Sequence, residues 1–410
     1  MSNDAIDHVT DPSSDPSSDP SSDPSSDPSP HALGPADDEL LDPGAGHVAT
    51  DGDWLRTRFC RDFGVRYPIV QTGMGWVSGP ELTSATCEAG GLGILAAATL
   101  DHVDMVTAVR RVRRRTAAPF GVNLRPDQPD LPRRIDALAA AGVPVVSFAG
   151  GPSADVIRRL HGAGLRCIVT VGRARHAEKM LAAGADALIA QGGEGGGHTG
   201  DVPTSLLLPS VLDAVHDQIP VLAAGGFYDG RGLAAAIAWG ADGVAMGTRF
   251  LLTQESGVPD DVKRRYLDAT VADTVVSDAF DGRPMRLIRN EAVTAYGKRP
   301  KWRRLAAAPG QAVAMRRITG QSWRQLVTEG LALRRREGLS LDEMARAAAA
   351  PLLIRSALVA GDPVGGLLPT GQVTGIIADT PSVAELIERV VKEAREAGRR
   401  FAGEPDPTWT

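Results

Sequence analysis

Eight short apolar runs recur between Pro68 and Met246, and helix-patterned segments separate nearly all of them. They are Pro68–Gly73, Gly93–Ala97, Phe120–Leu124, Val143–Phe148, Arg166–Val171, Ala185–Ala190, Pro220–Ala224 and Gly243–Met246. Strands that are apolar throughout, rather than alternately, are buried on both faces, and helical crossovers make such strands parallel. Most of the intervening segments end in Ala-Gly, at Ala89, Ala140 and Ala182, with Gly-Ala-Gly at Gly162. Glycine just past a helix accepts the left-handed turn that stops it. The run from Leu233 to Trp239 ends this way at Gly240. The expected class is therefore α/β, a (β/α)8 TIM barrel over residues 53–252, with an open doubly wound sheet as the alternative. Ser78-Gly79-Pro80-Glu81 reads as a helix start, with Ser78 capping and Pro80 in the first turn.

A barrel of this kind puts function at the C-terminal strand ends and commonly binds phosphate after its seventh and eighth strands. Those positions hold Gly225-Gly226-Phe227 and Met246-Gly247-Thr248. The loop after the sixth strand is QGGEGGGHTG, from Gln191 to Gly200, where five glycines precede His198. Glycine lets backbone approach a ligand closely, and histidine exchanges protons near neutral pH. Gly73-Met74-Gly75-Trp76 after the first strand and Asn123 in the third face this loop across the mouth. No lysine or carboxylate pair stands at the strand ends, which argues against an aldolase or isomerase. Ser205 and Cys167 have no base placed beside them to make a nucleophile.

Outside the barrel, residues 1–52 carry a DPSS repeat from Asp11 to Ser26 and read as a disordered acidic tail. Residues 1–53 contain 13 acidic side chains and no Lys or Arg, so the chain's net charge of −6 conceals a mildly basic body. That suits an anionic substrate but is equally an ordinary solvated surface. Residues 253–360 are basic and helical in pattern, with KRPKWRR at Lys298–Arg304, and read as a substrate-cleft region over the mouth. Residues 361–400 read as a C-terminal segment whose helix, from Ser382, packs on the barrel. The first residues lack the pattern of a signal peptide, and no apolar run reaches the roughly 18 residues of a membrane span. Cys60, Cys87 and Cys167 are too scattered for a disulfide framework or metal site. A cytoplasmic enzyme is expected, with no nucleic-acid or membrane partner; a homodimer is compatible with the sequence.

The motifs GMGWVSGPEL, AGGLG, GVNL, QGGEGGGHTG, AAGGFYDGRG, GVAMGTRFL and GQVTGIIAD occur in one order. In this the chain resembles the nitronate monooxygenases (2-nitropropane dioxygenases) and the flavin-dependent enoyl-acyl-carrier-protein reductases II, over about Arg56 to Ala397. The resemblance implies an FMN-binding barrel with a helical insertion over the flavin. It implies that Gly73, Met74 and Gly75 lie under the flavin ring and Asn123 near it. It implies that Gln191, Gly196 and Gly197 match the family's cofactor-binding sixth-strand loop, and that His198 matches its catalytic histidine. Gly225, Gly226, Met246, Gly247 and Thr248 match the phosphate clamp, with Asp229 just beyond it. Nitronate monooxygenases typically read EAGGH where this chain reads Glu194-Gly195-Gly196-Gly197-His198, and their first loop usually lacks Trp76-Val77. The combination is most similar to an actinobacterial subgroup acting on CoA thioesters in steroid-ring breakdown. The implied activity is an FMN-dependent oxidoreductase, with NADH or NADPH as reductant and an unsaturated carbonyl or CoA thioester as substrate. The alternatives are oxidation of alkyl nitronates with O2, and a flavin-binding module without turnover.

Overall fold

Successive side chains along a strand point to opposite faces, so each barrel strand supplies one inner and one outer set. In the computed structural model, which describes residues 53–298, 340–401 and isolated positions between 309 and 328, eight parallel strands close into a barrel. In chain order they are β1 Ile69–Gln71, β2 Leu92–Ala96, β3 Gly121–Leu124, β4 Val145–Phe148, β5 Arg166–Val171, β6 Ala187–Gln191, β8 Val221–Ala224 and β9 Gly243–Met246. The remaining early strand, β7 Gly197–His198, lies outside the barrel. β5 and β9 have the bounds read from sequence; the others differ by one or two residues at one or both ends. The ring is complete because β1 pairs with both β2 and β9, which excludes the open sheet.

The inner set explains which end of the barrel carries chemistry. Val70, Leu92, Ile94, Val145, Ile168, Ala187, Ile189, Leu222 and Ala245 form one buried cluster with Phe59 and Phe63. Those two rings stack at 4.6 Å on helix Arg58–Phe63, which closes the N-terminal end. The next inward positions toward the C-terminal end are Asn123, Ser147, Thr170 and Gln191. The interior thus changes from apolar to polar along the axis, and Asn123 Nδ2 donates to Ser147 Oγ at 3.2 Å. Outward residues such as Leu95, Val146, Val169, Leu188 and Val244 join the helices in the main core. Cys60, Cys87 and Cys167 are all buried, and burial pushes the Cys87 and Cys167 thiols up to about 12, as expected of core residues.

Beyond β9 the chain departs from its helical reading in one place. Helices Asp260–Leu267 and Leu341–Leu358 are present, but β10 Thr274–Ser277 and β11 Met285–Ile288 form an antiparallel hairpin between them. β7 joins its β11 side, giving a three-stranded sheet in the order β10-β11-β7. Four-residue strands among charged neighbours give almost no periodic signal, which is why sequence missed them. The final helix, Val383–Phe401, lies against Gly230–Ala238 and Pro80–Glu88. Gly230 permits that contact, because a Cβ there would overlap Val390 O and Ala394 N. The acidic tail, the basic residues 299–308 and Arg334-Arg335-Arg336 lie outside the described residues. Among the described residues no helix is long and apolar enough to cross a membrane.

Phe59 is fully buried at the barrel floor, with Phe63 as its stacking partner. Phe59→Ala should destabilise the fold by about 3–5 kcal/mol. Urea unfolding followed by far-UV circular dichroism measures this; a loss below 1 kcal/mol, on the order of a surface change, would show that the floor is not a structural plug.

Candidate active site

The first-strand loop is built around a buried serine. Ser78 Oγ donates to Thr72 O at 2.8 Å and accepts from Met74 N at 2.9 Å and Gln71 Nε2 at 2.8 Å. Ser78 therefore does not cap the following helix as its sequence suggests; Gly79 occupies the N-cap, without a side-chain bond. With Ser78 only 2% exposed, its hydroxyl must be satisfied locally, and the tight loop is the partner available. This loop carries Gly73 to Asn123, where a Cβ on Gly73 would overlap Asn123 Cβ, while Met74 lies beside Gly247 and Gly75 beside Thr99. Trp76 sits at φ 62°, an uncommon backbone state for a bulky residue.

The glycines of the Gln191–Gly200 loop divide into two kinds. Gly192 and Gly196 are required by the protein itself. A Cβ on Gly192 would overlap Thr204 Oγ1, and one on Gly196 would lie 2.5 Å from Gly371 N. Glu194 fixes the middle of the loop, its carboxylate accepting from Thr204 N at 3.0 Å and Thr204 Oγ1 at 2.8 Å. Gly197, at φ 67°, has open space where a Cβ would stand. Gln191 Nε2 donates to His198 O at 2.9 Å, tying the strand end to the tip of the loop.

His198 lies on the rim of the mouth, on β7, directly opposite Met285 of β11. Its side chain is 52% exposed, and its Nε2 lies 2.6 Å from Asp281 Oδ2 in the β10–β11 turn, where the Asp281 side chain is 15% exposed. Burial pushes the Asp281 carboxyl up, but the His198 hydrogen bond and charge, with Arg283, outweigh it and hold the group below the usual carboxylate range. The ionised carboxylate can only accept, so Nε2 is the donor. Two further bonds bind the loop to the hairpin. Thr199 N donates to Pro284 O at 3.1 Å, and Arg286 Nη2 donates to Gly193 O at 2.7 Å.

Beside this loop, β8 and β9, the next strands after β6 in the ring, end in a cradle. Gly225 and Gly226 have φ of 89° and 90°, a conformation suited to glycine. A Cβ on Gly225 would press on Gly192 O at 3.0 Å, whereas Gly226 faces open space, with Glu194 Cβ nearest at 4.0 Å. Gly247 is the N-cap of the short helix Thr248–Leu251, whose first backbone N–H groups have no intrahelical acceptor. Thr248 Oγ1 accepts from Gly371 N at 2.9 Å, drawing the C-terminal segment to the cradle.

The side chains of Met246, matched to the clamp, and Asp229, matched to the position just beyond it, are engaged within the protein itself. The Met246 side chain belongs to the outer core and is 2% exposed, because position 246 is outward on its strand; only its backbone O faces the loop, accepting from Thr72 N at 3.2 Å. Asp229 caps helix Gly230–Ala238, accepting from Gly232 N at 3.0 Å and from Arg231 Nε at 2.6 Å. Conversely, sequence reasoning did not select Asp281, Arg286, Ser147 or Gly371. GQVTGIIAD was visible as a motif, but nothing local places it at the mouth. Asp281 is 83 residues from His198 and meets it only through the hairpin.

Fold and site together define a closed parallel barrel whose mouth holds a glycine cradle and, on the adjoining loop, a carboxylate-held histidine. The chain belongs to the nitronate monooxygenase family, whose model matches residues 56–133 and 131–393. It is an oxidoreductase of that class. It is 50% identical over 341 residues to a Mycobacterium tuberculosis protein, spanning 83% of this chain and 96% of that one. The relative is (3aS,4S,5R,7aS)-5-hydroxy-7a-methyl-1-oxo-octahydro-1H-indene-4-carboxyl-CoA dehydrogenase. This bears out the kinship with an actinobacterial branch acting on CoA thioesters. A probable nitronate monooxygenase of Staphylococcus aureus is 32% identical over 286 residues, 58% of this chain and 80% of its own. Among solved structures, FabK from Thermotoga maritima superposes with a TM-score of 0.69 at 33% identity, covering 85% of this chain and 99% of that chain.

Thr248→Val removes the acceptor for Gly371 N in a buried position, at an expected cost of about 1–3 kcal/mol. Hydrogen exchange at Gly371, measured beside global unfolding, should accelerate. The acid limb of stability is also determined. Asp379 is held below the usual carboxylate range by Arg389 and, against burial, by Arg249. A depressed folded-state value means that Asp379 and Asp281 stabilise the native state above the ordinary carboxylate pKa of about 4 and lose that contribution as pH falls through their lowered values. Unfolding free energy should therefore decline in acid, and Asp379→Asn should flatten the decline. An unchanged slope in the variant would remove Asp379 from the balance.

Proposed function

We propose that this chain is an FMN-dependent oxidoreductase acting on a carbonyl substrate carried as a CoA thioester, with a nicotinamide as reductant. The observation that carries the reading is the Gly225-Gly226 cradle, left open beside the unsatisfied first turn at Thr248. Backbone of this form approaches a phosphate without steric conflict, and the flanking N–H groups are its hydrogen-bond donors. Residues at the mouth fit the group: Gly225, Gly226, Gly247 and Thr248 would hold the phosphate, with Gly73–Gly75 and Asn123 on the ring side. FMN, when bound, supplies the two-electron redox step. The name of the M. tuberculosis relative supports the substrate class.

The chain's own residues have distinct tasks in this reading. Asn123 and Ser147 form a polar layer at the top of the interior, next to the first-strand loop. His198 exchanges a proton with the substrate or donates to its carbonyl oxygen. Gln191 holds the His198 backbone, and the β10–β11 hairpin holds its ring, so the imidazole stays in one orientation. Consumption of alkyl nitronates is a second reading, favoured by the S. aureus relative; there His198 would take the proton from the parent nitroalkane.

Purified yellow protein mixed anaerobically with NADH, NADPH and an alkyl nitronate separates the two readings. Bleaching by a nicotinamide is expected; bleaching by the nitronate alone decides for the second. Gly226→Leu should fold and be colourless, and full flavin content in that variant would displace the phosphate from this cradle. His198→Ala should keep its flavin and lose about 10²–10⁴-fold in turnover. His198→Asn separates the roles: restored activity indicates carbonyl polarisation, and continued loss indicates proton transfer.

A further inference from the structure

We infer that Asp281 is a positioning residue that fixes His198 as the Nε2–H tautomer, leaving Nδ1 as the ring atom that exchanges a proton with substrate. The inference rests on the acid–base reading of His198 and goes beyond it by naming the atom and the residue that selects it. Its basis is a carboxylate with both oxygens committed. Asp281 Oδ2 lies 2.6 Å from His198 Nε2, and Oδ1 accepts from Arg283 N at 3.1 Å. The turn's own backbone therefore orients the carboxylate, and the carboxylate orients the ring. The separation is set by tertiary structure, since the register of β11 on β7 places Met285 opposite His198 and Thr199 N bonds Pro284 O.

Other charged groups around the ring have partners elsewhere. Glu194 on the same loop accepts from Thr204, and Arg286 on β11 donates to Gly193 O. Arg283, in the turn, acts on the Asp281 carboxyl. Asp281 is thus the group bonded to the imidazole. A neutral imidazole bears one proton, and a carboxylate that can only accept takes it on the facing nitrogen. The opposite nitrogen then presents its lone pair. A histidine held by such an outer partner has a defined tautomer and ring orientation.

Asp281→Asn tests this at nearly constant shape. Its amide oxygen is retained by the Arg283 N–H, so its NH2 faces His198 and favours a lone pair on Nε2. Holoprotein labelled with 15N-histidine, with His198 assigned by its loss in His198→Asn, reports the tautomer without turnover. We expect the proton on Nε2 in wild type and on Nδ1 in Asp281→Asn. Turnover of the variant should fall about 10–100-fold with flavin content retained. Asp281→Asn combined with His198→Ala should be no slower than His198→Ala alone, as for residues that act as a unit. An Nε2–H ring in Asp281→Asn, or turnover within about twofold of wild type, overturns the inference. If the tautomer shifts but His198→Ala turns over normally, the acid–base reading fails instead, and Asp281 keeps only its hold on the ring.

Discussion

The mouth of this barrel depends on one buried backbone N–H, that of Gly371. It donates to Thr248 Oγ1 at 2.9 Å, and the next residue, Gln372, donates its N–H to Glu194 O at 2.9 Å. An unpaired amide in such a place costs more than a hydrogen bond gains, so the C-terminal segment has to meet both loops at once. Gly196 and Gly371 make this possible, because a Cβ on Gly196 would lie 2.5 Å from Gly371 N and one on Gly371 would crowd Glu194 O at 3.1 Å. Through that junction the C-terminal segment bridges the loops after β6 and β9, and the cradle acquires a fixed wall.

The same segment reaches the histidine. Thr370 N donates to Arg286 O, and Ile288 N donates to Leu368 O, so the strand that carries Arg286, paired with β10 along one edge, binds both β7 and the C-terminal segment along the other. Beneath it, buried Arg249 bonds Asp379 Oδ1 and O, both at 2.8 Å, and closes the far end of the segment onto the barrel. Removing one partner of a buried pair leaves a charge without compensation, so this contact fixes the segment's path more surely than it adds net stability. The site is therefore assembled from the barrel, the hairpin and the C-terminal segment, not from the barrel alone.

Glycine plays two roles that look identical in the sequence. Gly192, Gly196 and Gly230 are small because protein stands against them. Gly197 and Gly226 have positive φ and open space, which is the condition for a ligand to approach. A run of glycines therefore marks close packing and ligand contact together, and only the surroundings of each Cα separate them. Gly196, matched by resemblance to the cofactor loop, is already held to glycine by Gly371.

The barrel was legible because its signal is local and repeated. Apolar runs such as ALIAQ and GVAM, each ended by glycine, need only period and composition to be recognised, and their placement of Gly226, Thr248 and His198 at one end follows from strand direction. Side-chain facing at strand ends was less legible: Met246 sits on the outer face, and Ser78 turned into its own loop instead of capping a helix. Asp229, matched to the position just beyond the clamp, caps the helix it precedes, a role the motif does not reveal. The sequence by itself determined the barrel, the strand ends that form its mouth and the histidine on its rim. Tertiary structure alone decided that Asp281 and Gly371 belong with them. Hydrogen bonds between segments tens to hundreds of residues apart depend on strand register and on the satisfaction of buried donors, and neither leaves a trace in local sequence.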